Sequence, residues 1–223
     1  MMDHPDGRRR FLSRLSERLG ENRRNPALPP EESKREETMA AEERMRRFLH
    51  NLSLLGGRGI RVQGREALRR QLMEDIDREK GSSLVFWKDP LLEEVTADLS
   101  GVERILWDPG RDSAAQIRDA ARAAAGLVRA DWGVASTGSI VLRNGEGRGR
   151  SVSLLPPVLF AVLERENIVA ETRSVWARIG EGDGGGVPAC INWITGPSRS
   201  ADIEGDLSIG VHGPYRVVVY LLE

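Results

Sequence analysis

The residues best suited to chemistry lie in one segment, ITGPSRSADIEGDLSIGVHGP, which runs from Ile194 to Pro214. Its histidine, His212, lies between Gly210 and Gly213. A histidine on a glycine loop is well placed to meet a ligand, and its ordinary pKa of about 6.5 suits proton transfer. His212 is therefore the candidate catalytic residue, although the sequence assigns it no chemical step. The alternative is a histidine that only holds the neighbouring loop by a hydrogen bond.

The first half of this segment predicts an anion site. Gly196 ends a strand, Ser198 is a candidate N-cap, and Ala201 to Glu204 continue as a helical turn. The N–H groups of a helix N-terminus attract anions, and Arg199 can add a bidentate grip on a carboxylate or phosphate. The alternative is that Ser198 only caps the helix while Arg199 pairs with Asp202 at the surface. The two carboxylates of the turn would also repel an anion.

A second loop, from Ser136 to Ser139, follows a predicted strand, where ligands of parallel α/β sheets are found. Small hydroxyl residues beside a glycine let the backbone approach a ligand and offer hydrogen-bond donors. A tight turn between strands explains the same residues and is the more common case. No phosphate-loop lysine motif follows and no GxGxxG precedes a helix, so nucleotide binding is not indicated. Together the two loops and the histidine loop supply the ligand-binding candidates Thr137, Gly138, Ser139, Gly196, Ser198, Arg199, Asp202, Glu204, His212 and Gly213.

Composition excludes several classes of protein. The chain has 223 residues and a formal net charge of −1, which gives no electrostatic footprint for nucleic acid. No apolar run approaches the ~20 residues of a membrane helix, and the charged N-terminus lacks the apolar core of a signal peptide, so we expect a cytoplasmic protein. Cys190 is the single cysteine, and His4, His50 and His212 lack ligand spacing. We therefore expect no metal, disulfide or cofactor within this chain.

Residues 1–50 differ from the rest and predict a charged N-terminal helical arm. Apolar residues recur at helical spacing from Arg8 to Leu19, prolines then interrupt the chain, and a second charged helical run extends from Glu31 to His50. We expect the arm to dock on the main domain or on a second copy of the chain, which would make a homo-oligomer. The more specific alternative is that the arm binds a partner protein. Residues 51–223 then form the main domain.

Short apolar runs alternate with helical segments along the main domain. Glycines 56, 57 and 59 predict a turn, and the predicted helices are Gln63–Lys80, Pro90–Leu99, Ser113–Arg129, Val158–Glu164 and Ser174–Ile179. The predicted strands are Ser83–Asp89, Val102–Asp108, two around the glycine turn of Gly133–Gly147, Val152–Leu155, Ile168–Ala170, Cys190–Gly196 and Arg216–Leu222. This alternation predicts an α/β fold, a three-layer sandwich with a mostly parallel sheet covered on both faces.

Three segments carry a family resemblance: GVASTGSIVL, SVSLLPPVLFAV and above all ITGPSRSADIEGDLSIGVHGP. In this order they resemble the LUD-domain family, in its lactate utilization protein C (LutC/YkgG) branch, over roughly Phe48 to Glu223. The resemblance implies a fold similar to the NagB/RpiA/CoA-transferase group. It also implies a role in oxidising L-lactate to pyruvate with two iron–sulfur partner subunits, which would carry the clusters because this chain has one cysteine.

Three hypotheses of function follow. The first is a non-redox component of a lactate-oxidising complex, which binds a small carboxylate or a partner through the candidate loops. The second is a stand-alone enzyme or binding protein for a small anionic metabolite, with His212 as acid or base and Arg199 as anion clamp. The third is an interaction module with a vestigial pocket. CoA-transferase-like folds that react covalently use a glutamate. The glycine loop has Ser136 where many relatives carry an acidic residue, so covalent transferase chemistry by that route is not expected.

Overall fold

The computed structural model describes residues 5–19, 39–181, 188, 190–203 and 206–223. The chain divides into two units, Met1–Thr38 and Met39–Glu223. In the first unit, helix α1 (Pro5–Leu19) lies where the sequence predicts a helix, and Phe11 on it is exposed. No helix among the described ranges is both long enough and apolar enough to cross a bilayer.

The second unit holds the α/β fold. Its helices are α2 (Ala41–Leu54), α3 (Gly64–Arg78), α4 (Pro90–Thr96), α5 (Ser113–Arg122), α6 (Ser151–Leu154) and α7 (Thr172–Glu181), with a 3₁₀ turn at Arg165–Asn167. Its strands are β1 (Arg58–Val62), β2 (Ser83–Trp87), β3 (Glu103–Trp107), β4 (Ala125–Arg129), β5 (Trp132–Val134), β6 (Ser139–Asn144), β7 (Val158–Glu164), β8 (Ile168–Val169), β9 (Cys190–Ile194), β10 (Arg199–Ile203), β11 (Asp206–Ile209) and β12 (Arg216–Leu222).

Six strands form a parallel central sheet in the order β1-β12-β7-β4-β2-β3. Every residue of β2 is buried, as is most of β7, which is typical of strands covered on both faces. Helix α3 packs against β1, β12 and α4, while α6 packs against β4, β2 and α5. The predicted fold class, an α/β protein with a mostly parallel central sheet flanked by helices, is confirmed.

A smaller sheet and a hairpin lie beside the central sheet. The smaller sheet has the order β8-β5-β6-β9; β5 runs parallel to β8 and antiparallel to β6, and β6 runs antiparallel to β9. Helix α7 packs against β5 and β8 and closes a second apolar cluster, which includes Trp132 and Val175. Strands β10 and β11 pair antiparallel. These elements carry the loops that the sequence selects as candidate sites.

One predicted helix is too long. The helix expected from Ser113 to Arg129 ends at Arg122, and residues 125–129 form β4 in the centre of the sheet. A Cβ on Gly126 would lie 2.0 Å from the carbonyl oxygen of Val152, so α6 packs directly on the β4 backbone. Packing against α6 and the two neighbouring strands thus overrides the helical preference of the alanines.

Three other assignments are wrong. Residues 152–154 belong to helix α6 instead of a strand, and Val158–Glu164 forms strand β7 instead of a helix. The VLFAVLE run is apolar throughout, so its periodicity cannot distinguish a buried helix from a buried strand. The glycine turn at 56–59 is shorter than predicted, because Gly59 lies in β1, which pairs with β12.

Helix α2 packs as part of the α/β unit. Met45, Phe48 and Leu52 on α2 are fully buried in the main core. The sequence analysis groups residues 39–50 with the N-terminal arm, whereas the compact unit of the structure begins at Met39. The start of the second predicted helix, at residues 31–38, lies outside the described residues.

Candidate functional site

An open pocket of about 300 Å³ lies where the β9–β10 turn meets the loop after β11. Five of the sequence candidates line it: Gly196, Ser198, Arg199, His212 and Gly213. Further lining residues come from α6 and β9, among them Ser153 and Trp193. The structure therefore brings the GPSR and GVHGP elements of the sequence to one surface, with the exposed imidazole of His212 at its edge.

Ser198 connects the two loops through hydrogen bonds. Its backbone N–H donates to the carbonyl oxygen of Pro214 over 2.9 Å, and its carbonyl accepts from the N–H of Gly210 over 2.9 Å. The backbone N–H of His212 donates to the Ser198 hydroxyl over 3.3 Å. Ser198 thus fixes the path of the histidine loop through the backbone of that loop.

The predicted helix N-terminus at Ser198 is wrong. Residues 199–203 form strand β10, in which Arg199 pairs with Ile209 of β11. A single helical turn leaves most of its N–H groups without partners, whereas a neighbouring strand accepts them. An anion site built on a helix terminus is therefore absent from this described segment. The backbone of Asp202 lies in β10, its side chain is outside the described part of the structure, and Glu204 lies outside the described residues.

Arg199 is held by the end of α2. Its guanidinium donates to the carbonyl oxygen of Leu55, and a Cβ on Gly56 would lie 2.6 Å from its Nη2 atom. Gly196 adopts φ +77°, and a Cβ there would lie 2.7 Å from the Leu55 carbonyl oxygen. Arg199 is exposed. Its guanidinium is nevertheless oriented by the protein, because one of its N–H groups donates to the Leu55 carbonyl oxygen.

The other candidate loop reaches this pocket through a row of hydroxyl groups. The Oγ1 of Thr137 lies 2.7 Å from the Oγ of Ser139, which lies 2.8 Å from the Oγ1 of Thr195. Thr195 lines the pocket, whereas Thr137 and Ser139 do not. Ser139 is buried, so the row links an exposed threonine of the glycine loop to an exposed threonine of the pocket.

Helix α2 also fixes the glycine loop. The side-chain amide of Asn51 donates to the carbonyl oxygens of Ala135 and Ser136, over 2.8 Å and 3.1 Å. A Cβ on Gly138 would lie 2.3 Å from the backbone nitrogen of Leu52. The last turn of α2 therefore contacts both candidate loops, and this joint role is the feature that the sequence analysis missed.

The site residues that sequence reasoning left out include Thr195, Trp193 and Asn51. Thr195 and Trp193 lie on the predicted β9 strand segment directly before Gly196, so their position beside the turn was available as a signal. Asn51 carried no such signal, because its partners Ala135 and Ser136 are more than eighty residues away.

The site offers hydroxyl groups, one guanidinium and one imidazole. This set can hydrogen-bond a small carboxylate and can accept or donate a proton. Within the described ranges, no three side chains of His, Cys, Asp or Glu are grouped to hold a metal ion.

Comparison with known proteins gives the class. The model of the LUD domain matches residues 45–222, and the chain therefore belongs to the LUD-domain family. Among its relatives is a lactate utilization protein C of Halalkalibacterium halodurans, 30% identical, with 97% of each chain covered. The lactate utilization protein C of Bacillus subtilis is 35% identical over 68% of this chain and 67% of its own. An uncharacterized protein, YkgG of Escherichia coli, is 36% identical over 53% of this chain and 52% of its own.

A solved structure agrees with the fold. A DUF162 family protein from Deinococcus radiodurans superposes with a TM-score of 0.61 at 20% identity, covering 83% of this chain and 99% of that chain. At this identity the likeness concerns the fold alone.

Proposed function

We propose that this chain is a non-redox subunit of an L-lactate utilization system, acting with iron–sulfur partner proteins in the oxidation of L-lactate to pyruvate. The observation that carries the proposal is the pocket in which the GPSR and GVHGP elements meet, in a chain whose relatives are named lactate utilization protein C. In this reaction lactate loses two electrons and two protons, and the electrons pass to the partner subunits.

This chain's residues do not fit an iron–sulfur cluster. Such clusters are held by several cysteine thiolates, and Cys190 is the single cysteine of the sequence. We therefore place the clusters in the partner subunits. The described side chains are suited instead to binding and orienting: Ser198 fixes the histidine loop, and the pocket presents His212 and Thr195 to a small carboxylate or to a partner segment.

The first experiment is a pull-down of the tagged full-length chain, without oxygen, from its native host grown on L-lactate. Recovered material is tested for iron and for lactate-dependent reduction of a dye. We expect iron-containing partner proteins and activity. Recovery of the chain alone, free of iron and inactive, would contradict the proposed complex.

His212→Ala tests the pocket within that complex. Loss of a group that moves a proton or positions substrate should lower lactate-dependent dye reduction by about tenfold or more. The matched control is His50→Ala, which removes another exposed histidine, on α2. Equal activity of the two variants, with partners still bound, would remove His212 from the mechanism.

The same experiment separates a second candidate function, a stand-alone enzyme or binding protein for a small anionic metabolite. The favouring observation is the guanidinium of Arg199 at the pocket edge. This function predicts turnover or ligand-induced thermal stabilisation with the purified chain alone. Activity only in the presence of iron-containing partners would decide for the complex.

A further inference from the structure

A second cavity, of about 340 Å³, lies at the carboxyl ends of three central strands. Arg129 is the last residue of β4, Glu164 the last of β7, and Asp89 follows β2. The guanidinium of Arg129 contacts both carboxylates, with 3.5 Å to the Oδ2 of Asp89. The polar lining consists of Arg129, Asp131, Arg143, Arg148 and Asn167, whereas Asp89 and Glu164 contact Arg129 without lining the cavity. This cavity shares no lining residue with the His212 pocket.

The topology independently selects this place. Strands β2 and β4 are neighbours, yet the next strand of this sheet along the chain is β3 beyond β2 on one side and β7 beyond β4 on the other. Ligands of open α/β sheets bind outside the carboxyl ends of strands at such a reversal of strand order. Arg129 and Asp89 face each other across this reversal.

Two of the arginines lie over tryptophan rings. The guanidinium carbon of Arg143 lies 4.8 Å from the Trp132 ring centroid, and that of Arg148 lies 4.8 Å from the Trp87 ring centroid. Such a cation–π contact is favourable and restricts the position of the guanidinium group. The arginines are therefore oriented before any ligand arrives.

Asp131 holds Arg143 and Arg148 through hydrogen bonds to its carboxylate. Its carboxylate accepts from the Nε of Arg143 over 3.1 Å, from the Nη1 of Arg148 over 2.8 Å, and from the Arg143 backbone N–H over 2.7 Å. The Asp131 side chain is only 6% exposed, whereas those of Arg143 and Arg148 are 35% and 28% exposed. The carboxylate is thus buried beneath the cations.

The same asymmetry holds around Arg129. Its side chain is 35% exposed, against 14% for Asp89 and 23% for Glu164. The residues that line the cavity include three arginines and one acid, Asp131, so solvent in the cavity meets mostly guanidinium groups. Guanidinium forks match the paired oxygens of carboxylates and phosphates.

We propose that this cavity binds a compact oxyanion with more than one negative charge, phosphate or a short dicarboxylate, through Arg129 and Arg143. The site is separate from the His212 pocket, so the test of this proposal does not depend on the proposed function.

Isothermal titration of the full-length protein tests the proposal. The probes are inorganic phosphate and malonate, with acetate as the singly charged control at matched ionic strength. We expect phosphate or malonate to bind about tenfold or more tightly than acetate, because a second charge adds further charge-assisted hydrogen bonds. Phosphate alone would identify a phosphoryl ligand, malonate alone a dicarboxylate, and both the shared chemistry. Binding no tighter than that of acetate would overturn the proposal.

Variants locate the binding. Arg143→Gln should weaken the oxyanion by about tenfold, since a hydrogen bond to a charged group is lost. Asp131 keeps Arg148 as a partner in that variant, which favours folding. Arg143→Lys keeps the charge but loses the fork, so it should give an intermediate affinity even if the glutamine variant fails to fold.

Two controls complete the test. Arg65→Gln removes an exposed arginine of α3 that pairs with Glu94 of α4. His212→Ala changes the other pocket. Both variant proteins should bind the oxyanion as tightly as the original chain does. Equal affinity of the Arg143 variants and these controls would show that the ion binds elsewhere and would refute the site.

Discussion

Gly138 shows at the scale of one residue how the candidate site is held together. It adopts φ +67°, in the left-handed region that favours glycine, and a Cβ there would lie 2.3 Å from the Leu52 backbone nitrogen. The close approach of this loop to α2 therefore depends on the missing side chain. The next residue of the loop, Ser139, lies within hydrogen-bond distance of Thr195 at the pocket.

Gly138→Ala should lower the free energy of unfolding by more than about 2 kcal/mol, from left-handed strain and overlap with α2 backbone atoms. The matched control is Gly145→Ala, because a Cβ on Gly145 would meet nothing within 4 Å. Urea unfolding of both variants measures the difference. If Gly138→Ala is as stable as Gly145→Ala, the packing of the loop on α2 is not required.

Helix α2 is the element that joins the candidate loops to the core. Phe48 is fully buried, so Phe48→Ala should cost about 3–5 kcal/mol by loss of burial and creation of a cavity. Leu54→Ala on the same helix is the control, since Leu54 is 67% exposed and its loss should change stability by about 0.5 kcal/mol or less. Denaturant unfolding decides; a Phe48 variant as stable as the Leu54 variant would mean that α2 contributes little to the core.

The sequence predicted elements well where local signals agreed. The helix beginning at Pro90 has Asp89 as N-cap, whose side chain accepts from the N–H groups of Leu91 and Leu92. Strand β2 is a short apolar run between turn signals, and β12 likewise reads as a β-branched strand. Such features depend on neighbours in sequence, so a single chain is enough to find them.

One error arose where distant partners decide the outcome: residues 158–164 form a strand because β4 and β12 lie on either side of them. The error at residues 199–203 is local, because they pair with the nearby strand β11 in a hairpin instead of forming a helical turn. In the site, the sequence grouped Ser198, Arg199 and His212 in one segment and the structure brings them to one pocket. The contacts of α2 with both loops join residues far apart in sequence, and no local pattern encodes them.

A network of charges ties together distant parts of the whole molecule. Glu223 accepts from Arg61 of β1 and from Arg165 of the 3₁₀ turn, and both arginines also pair with Glu42 of α2. The hydrogen bond from Arg61, outweighing partial burial, lowers the pKa of the Glu223 carboxyl below its ordinary value. The folded state therefore binds a proton at Glu223 less readily than the unfolded chain does.

Stability should depend on pH through this group. A carboxyl with a lowered pKa stabilises the fold above its unfolded pKa of about 4.3, and that stabilisation is lost as the pH falls through the folded pKa. Glu223→Gln should therefore show a smaller loss of stability between neutral pH and about pH 3.5 than the original chain. Urea unfolding at both pH values measures it, with Glu166→Gln, an exposed glutamate of the same 3₁₀ turn, as control. Equal losses in the two variants would argue against the network.

The order of strands in the central sheet also constrains how the chain can fold while it is being synthesised. Among the described strands, β1 hydrogen-bonds only to β12, and β12 separates it from β7. During translation, β1 has no strand to pair with until residues 216–222 have followed. The nascent chain must therefore carry β1 without this partner while the strands between β1 and β12 are made, and this side of the sheet closes only after β12 has been synthesised.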